Sequence, residues 1–428
     1  MEAVWSAVRD ALAAGRAGAV ATITRARGST YRREAARMFI PDGGEPVGTI
    51  SGGCLEGDVV EVARRVMAEG RPRRVAYDMT ADDDAIWGLG LGCNGAVEVL
   101  VEPVSSWHEK VARWRDEGAR LALVTPLPPL ERRDPAGAPA DAGTTAAGSD
   151  IAAVGCVMVP PGSAPGDGAA EAAATEAPGA SLEGAGRAAA SGPGPVTARR
   201  LVTRADGSVE GSLGSAELDD LLASTAREWL ARGRSGTVSV AGAGEFFIES
   251  VLPPPTLLVC GAGHDAIPVV AAASPLGYRV VVADSRPAFA RPERFPGAHR
   301  VVHTYPEDLR RHVALDDRTF IVIMTHNFLQ DASFLEAVLD SPAPYIGLLG
   351  PRRRAERLLS ELRQRGVEPT PDQLQRIYAP VGIDIGGETP EEIAHSLLAE
   401  IQAVRYGREA GFLRNRKGPI HPREEDTA

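Results

Sequence analysis

Lysine is almost missing from this 428-residue chain: Lys110 and Lys417 are the only two. Neither stands in a Gly-rich GK[ST] loop, which excludes a P-loop nucleotide hydrolase, whose lysine must reach the phosphates. Cysteine is scarce as well. Cys54, Cys93, Cys156 and Cys260 lie far apart with no CxxC pair, so no disulfide framework is expected and a reducing cytoplasm fits better. No run of roughly 18 apolar residues occurs, so no membrane span is expected. The opening stretch MEAVWSAVRDALAAG is acidic and amphipathic rather than basic then apolar, so it does not read as a secretory signal. HExxH is absent and the histidines fall almost all in the second half, which leaves no clean cysteine-hydrolase triad. The formal charge of −11 argues against nucleic acid, because phosphate binding wants a basic surface.

What is present divides into two patterns. Val4, Ala7, Val8, Ala11 and Leu12 follow helical spacing, and AVATITRA, ARMFIP and EPVGTIS read as strands around turn-forming segments. Leu55, Val59, Val62, Ala63 and Val66 share one helical face, and RRVAYDM and AVEVLVEPV are further strands. From about 128 to 149 and from about 160 to 196 the chain is rich in Ala, Gly and Pro. Such segments bury too little apolar surface to offset their ordering entropy, so they read as disordered insertions on either side of the short strand IAAVGCVMV. A hairpin turning at Asp206-Gly207, a helix AELDDLLASTAREWLARG and a strand GTVSVAGAGEFFIESV close a mixed α+β domain over residues 1–252. Three prolines, 253 to 255, mark the boundary.

Residues 256–410 alternate strictly: TLLVCGAG, YRVVVADS, RVVH, TFIVIMTH and YIGLLG are apolar strands followed by helical stretches. That pattern predicts a Rossmann-like, doubly wound parallel sheet, with 411–428 as a tail. The last helix starts with Thr389 as N-cap, Pro390 as first helical residue and Glu392 completing a capping box. Gly261-Ala262-Gly263-His264-Asp265-Ala266 is a G-x-G-x-x-A turn between strand and helix, with Asp284 about 20 residues on, as the dinucleotide fingerprint requires. Gly261 permits the turn, Gly263 lets a pyrophosphate approach the backbone, and Asp284 is the expected ribose partner. Arg286 could serve a 2′-phosphate or simply be surface. His264 faces the crevice or solvent; Cys260, inside the apolar strand, is expected in the core. His326 and Asn327 stand at the carboxyl end of the fourth strand, where ligands bind in open α/β sheets, with Asp331 shortly after. Arg352, Arg353 and Arg354 at a helix start read as a charged face or as an anion pocket.

In the first domain, Gly52 and Gly53 precede Cys54 at a helix start, where the helix dipole favours thiolate. Cys93 lies in a second glycine loop, GLGLGCNG. Two such thiols could converge on a soft metal, a sulfur donor or a thiol-bearing cofactor; equally, free cysteines are often small buried apolar residues. Arg32, Arg33 and Arg37 could hold phosphate or pterin oxygens, or be surface arginines.

Taken in order, GSTYRREAARMFIPDGGEPVGTISGGCLEGDVV, DDDAIWGLGLGCNGAVEVLVEP, VCGAGHDAIPVV, IVIMTHNFLQD, YIGLLGPRRRAERLL and PVGIDIGGETPEEIAHSLLAEI resemble the XdhC/CoxI family over nearly the whole chain, with the insertions outside the match. The resemblance implies an accessory chaperone for a molybdenum hydroxylase such as xanthine dehydrogenase or carbon monoxide dehydrogenase. It implies molybdenum cofactor, as molybdopterin or its cytosine dinucleotide, carried as cargo, sulfurated and inserted into the apo hydroxylase. A cysteine desulfurase and self-association are further expected partners, and the chain is expected to be a non-catalytic maturation factor. On this reading Gly52, Gly53, Cys54, Cys93, Gly261, Gly263, His264, Asp284 and His326 bind the cofactor, with Cys54 and Cys93 toward the metal and both domains clasping it. The competing expectation, from the fingerprint, is an NAD(P)-dependent oxidoreductase with His326 as acid or base; a third is a redox or nucleotide sensor working through Cys54.

Overall fold

A computed structural model describes residues 2–28, 30–79, 95–132 and 199–417. Alternation in the first half gives a sheet with two unlike faces. In the strand Gly18–Gly28, Ala19, Ala21 and Ile23 join one apolar cluster while Val20 joins another. The sheet has six strands in the order Val47–Gly48, Arg37–Pro41, Gly18–Gly28, Gly95–Pro103, Arg73–Asp78 and Leu130–Arg132. Only the last pair is parallel. The helix Glu56–Glu69 covers one face with Val59, Val62, Ala63 and Val66, as its spacing predicts. The helix Glu2–Ala13 sets Val4, Val8 and Ala11 against Val20 and Phe39 on the other.

A second, antiparallel sheet runs Gly236–Val240, Gly244–Val251, Leu121–Pro126, Leu201–Arg204 and Val209–Gly211. The helix Ala216–Arg232 packs Leu222, Ala226 and Leu230 against Ala122, Val124 and Ile248. GTVSVAGAGEFFIESV, expected as one strand, is a hairpin: Gly242 and Gly244 take left-handed φ values of 75° and 105°, and Val240 pairs with Gly244. The helix Ser106–Asp116 and the strand Leu121–Pro126 carry no strong sequence signal; charged residues dilute the apolar face of the first, and the second is a short apolar run. Leu130–Arg132, inside the stretch expected as an insertion from about 128, is an edge strand. The rest of that insertion, the second insertion, the strand IAAVGCVMV and residues 418–428 lie outside the described residues.

Where the two sheets meet, the layer is ionic. Arg37 donates to both carboxylate oxygens of Glu249, and the two side chains are 8% and 6% exposed. Arg74 bridges Glu98 and Glu245, Arg25 reaches the same two carboxylates, and Arg200 pairs with Glu102. Packed sheet faces are ordinarily apolar; here each desolvated charge is matched by an opposite one, which is the condition for burying it at all.

His108 is buried beside this layer, and Ser105 N–H donates to its Nδ1 at 3.3 Å. Burial, with the Arg200 and Arg37 charges adding to it against Glu102, pushes its pKa down to about 4 from the ordinary 6.5. The unfolded chain therefore takes up a proton below pH 6.5 that the folded chain refuses until about pH 4. Stability should be intact above that window and fall by about 3 kcal/mol across it. Urea unfolding at pH 7 and pH 4.5 checks this: His108→Gln should lose less between the two than the natural chain, and an equal loss would refute it.

The third sheet is entirely parallel, in the order Arg300–His303, Arg279–Asp284, Thr256–Cys260, Thr319–Ile323, Tyr345–Leu348, Ile377–Tyr378. Ranked along the chain this is 3-2-1-4-5-6, the doubly wound order of dinucleotide-binding folds. The two-residue sixth strand was not readable from the sequence. Helices Phe328–Leu339 and Arg352–Gln364 cover one face, Ala266–Ala273 and Pro390–Arg405 the other. Thr389 caps the last helix and Glu392 completes its capping box. Between the second and third strands the expected helix is reduced to one short turn, Pro292–Arg294.

Polar contacts that join the halves gather at one end of this sheet. Arg120 pairs with Asp316 and Asp317, and Arg279 reaches the Asp116 carbonyl at 3.5 Å. Arg279 opens its strand and Asp317 precedes Thr319, so these contacts lie at the amino ends.

Candidate functional site

The strand order reverses between Thr256–Cys260 and Thr319–Ile323, so the crevice opens where residues 261–265 face residues 324–327. Gly261, at φ 118°, has no room for a side chain: a Cβ there would lie 2.5 Å from the Met324 carbonyl oxygen and 2.8 Å from Thr325 N. The next residue is held from both sides. Ala262 N–H donates to Asp284 Oδ2 at 2.7 Å, and Arg294 Nη1 donates to the Ala262 carbonyl at 2.5 Å. The turn is thus clamped rather than loose.

Asp284, the expected ribose partner, is 1% exposed and already engaged. Its Oδ1 accepts from Arg286 N and Nε at 2.8 and 2.9 Å, and its Oδ2 from Arg286 Nη2 at 2.7 Å. Burial alone would raise its pKa; the bonds from Arg286 and Ala262 outweigh that and hold it below the usual value. Arg286 lies 4.0 Å from the centre of the Phe289 ring, whose other neighbour is Arg294 at 4.9 Å.

Across the crevice His326 takes a left-handed φ of 60°, which costs a non-glycine residue on the order of 1 kcal/mol. Its Nε2 donates to Asp265 Oδ2 at 2.6 Å, and its side chain is 61% exposed against 22% for Asp265. Asp265 Oδ1 in turn lies 2.5 Å from the position a Cβ on Gly263 would occupy. Sequence reading passed over Asp265 because the fingerprint leaves that position unspecified, and Arg294 because nothing local ties it to the turn. His264 is exposed beside them.

Other expectations resolve into structure-holding roles. Asp331 is buried; it accepts from Thr325 N and Oγ1 and from Arg354 Nη2 at 2.7 Å, so both residues tie strand to helix rather than face a ligand. Asn327 caps the helix Phe328–Leu339 through Gln330 N. Arg352 and Arg353 are exposed at the start of their helix. Cys260 is buried, and burial pushes its thiol well up. Arg37, a candidate phosphate ligand, is committed to Glu249.

Cys54 is half-buried on the Gly52–Gly53 turn and packs against the core under the helix Glu56–Glu69. The expected thiolate-favouring helix start is modified. Glu56 folds back to accept from Ser51 N at 2.9 Å, from Leu55 N at 3.2 Å and from the Ser51 hydroxyl. A carboxylate therefore already uses the positive end of this helix. Burial opposes its ionisation, but the Ser51 bonds prevail and lower its pKa. Cys93 and its loop lie outside the described residues, and among the described residues no group of three His, Cys, Asp or Glu is placed to hold a metal.

Comparison with known proteins matches the same two halves. A model described as "XdhC Rossmann domain" matches residues 257–401, and one described as "XdhC and CoxI family" matches 11–78 and 187–241. A Bacillus subtilis protein named as a probable xanthine dehydrogenase subunit is 28% identical over 90% of this chain and 92% of its own. The "Molybdenum cofactor insertion chaperone PaoD" of Escherichia coli is 26% identical over 30% of this chain and 35% of its own. A crystal structure named as a xanthine dehydrogenase from Bacillus halodurans superposes with a TM-score of 0.65 at 26% identity, covering 96% of this chain and 98% of that one.

Proposed function

The chain belongs to the XdhC and CoxI family, and on that premise we propose that it is an accessory factor of a molybdenum hydroxylase. In this reading it binds molybdenum cofactor, supports its sulfuration and inserts it into an apoenzyme of the xanthine dehydrogenase or carbon monoxide dehydrogenase type. The carrying observation is likeness along the whole chain to a relative named for xanthine dehydrogenase, joined by partial likeness to one named for cofactor insertion. A cysteine desulfurase as sulfur source, self-association and a cytoplasmic setting belong to the same proposal; no described helix is long and apolar enough to cross a membrane.

The geometry suggests a division of labour. The crevice suits the anionic phosphate end of the cofactor, with Gly261, Gly263, His264 and His326 around it. Cys54, on the Gly52–Gly53 turn, suits the soft metal or a transferable sulfur, with Cys93 as its candidate partner. Because the contacts of Arg120 and Arg279 between the halves lie at the amino ends of the third sheet, opposite the crevice, handling in sequence is favoured over one clasp.

The test is direct. The purified chain is incubated with molybdenum cofactor and gel-filtered, and co-eluting molybdenum and pterin are quantified. Near-stoichiometric retention is expected, and Cys54→Ala should keep the pterin but lose at least tenfold in activation of an apo hydroxylase. Retention of neither, together with steady NADPH oxidation abolished in His326→Ala, would replace this reading with a nicotinamide enzyme.

A further inference from the structure

The second glycine of a G-x-G turn exists so that a ligand phosphate can rest on bare backbone. In this chain that space is filled from within. Asp265 Oδ1 sits 2.5 Å from the Cβ position of Gly263, and its other oxygen is held 2.6 Å from His326 Nε2 across the crevice. The turn cannot yield instead, because Ala262 is fixed by Asp284 through its N–H and by Arg294 through its carbonyl. Asp284, the group that would receive a ribose hydroxyl, has both oxygens taken by Arg286 and Ala262. The space over Gly263 and the carboxylate of Asp284 are both taken by the protein's own groups, whereas the helix Ala266–Ala273 carries no side-chain cap at its start.

We propose that Asp265 is a selectivity gate of this crevice, its carboxylate occupying the phosphate position over Gly263 so that the resting site turns away pyrophosphate-bridged nucleotides. The proposal rests on reading the crevice as a phosphate site. Two effects act together. The carboxylate takes up volume that a bridging pyrophosphate needs beyond a single phosphate, and it sets a negative charge beside the pyrophosphate's own. His326 holds the gate shut, and its left-handed backbone is what aims Nε2 back across the crevice.

Replacing the gate should therefore create affinity rather than destroy it, an outcome that a structural role for Asp265 does not produce. ADP-ribose is titrated calorimetrically into the full chain and into Asp265→Ala and Asp265→Asn. Asp265→Ala, which removes both volume and charge, should bind at least tenfold tighter than the natural chain. Asp265→Asn, which removes the charge and keeps the volume, should bind tighter by a smaller factor; thermal melting reports whether either is folded. The near-isosteric Asp265→Asn keeps the test valid if the alanine variant unfolds. Binding by folded variants no tighter than the natural chain, or undetectable in all three, overturns the gate. Cofactor retention by the natural chain is measured separately, so failure of cofactor carriage and failure of the gate show up in different experiments.

Discussion

A Glu249→Ala chain is expected to lose about 3–5 kcal/mol of stability, the range for removing one partner of a buried ion pair. Arg37 is the reason. Its side chain is 8% exposed, both terminal nitrogens donate to Glu249, and its guanidinium lies 5.0 Å from the Trp5 ring centre. With the carboxylate gone, the cation stays shielded from solvent and the neighbouring Arg200 is of the same sign. The double variant Arg37→Met/Glu249→Leu removes both charges and refills the volume with apolar atoms. It should recover most of the loss, because the pair's attraction is largely offset by its desolvation. Urea unfolding of the natural chain and both variants decides the matter. A single variant as stable as the natural chain would show that the sheet interface is wet and that its charges are screened. The same logic applies more weakly to Arg25, whose partners Glu98 and Glu245 also pair with Arg74, so that the loss of one arginine leaves neither carboxylate alone.

That ionic layer also marks what the sequence could and could not tell. The Rossmann half was legible because its information is local: unbroken apolar strands, a glycine turn at the end of one of them, and a capped final helix at Thr389. The helix Glu56–Glu69 was legible for the same reason, its buried side chains falling at helical spacing. The two-sheet packing of the first half was not. Arg37, Arg74 and Glu249 look like surface charges in sequence, and only the pairing of strands more than 170 residues apart brings Arg74 and Glu245 together. Asp265 was unreadable for a related reason. The fingerprint constrains the glycines around it, whereas its role depends on His326, 61 residues away, and on that residue's unusual φ. The thiol expectation at Cys54 missed Glu56 because a carboxylate at a helix start reads simply as a favourable charge, without showing that it bends back over the preceding turn.

Gly261→Ala should be the more damaging of the two glycine substitutions in the crevice, and the comparison with Gly263→Ala isolates why. A methyl group on residue 261 meets backbone atoms, the Met324 carbonyl oxygen and Thr325 N, at 2.5 and 2.8 Å, while the φ of 118° is itself open only to glycine. Backbone in the centre of a parallel sheet cannot retreat without parting Thr256–Cys260 from Thr319–Ile323, and these strands share the apolar clusters on both faces. The expected loss is about 3 kcal/mol or more, combining left-handed strain with overpacking. On residue 263 the same methyl group meets side chains rather than backbone, Asp265 Oδ1 at 2.5 Å and His326 Cδ2 at 3.7 Å, and there is no positive φ to forbid it. The expected loss there is smaller, about 1–2 kcal/mol, the size of disturbing the one bond between Asp265 and His326. Thermal melting of the two variants orders them, and equal losses would mean that the strand junction yields where the packing says it cannot. The two substitutions then separate the crevice's parts: residue 261 holds the sheet that makes the site, and residue 263 only shapes the space that Asp265 fills.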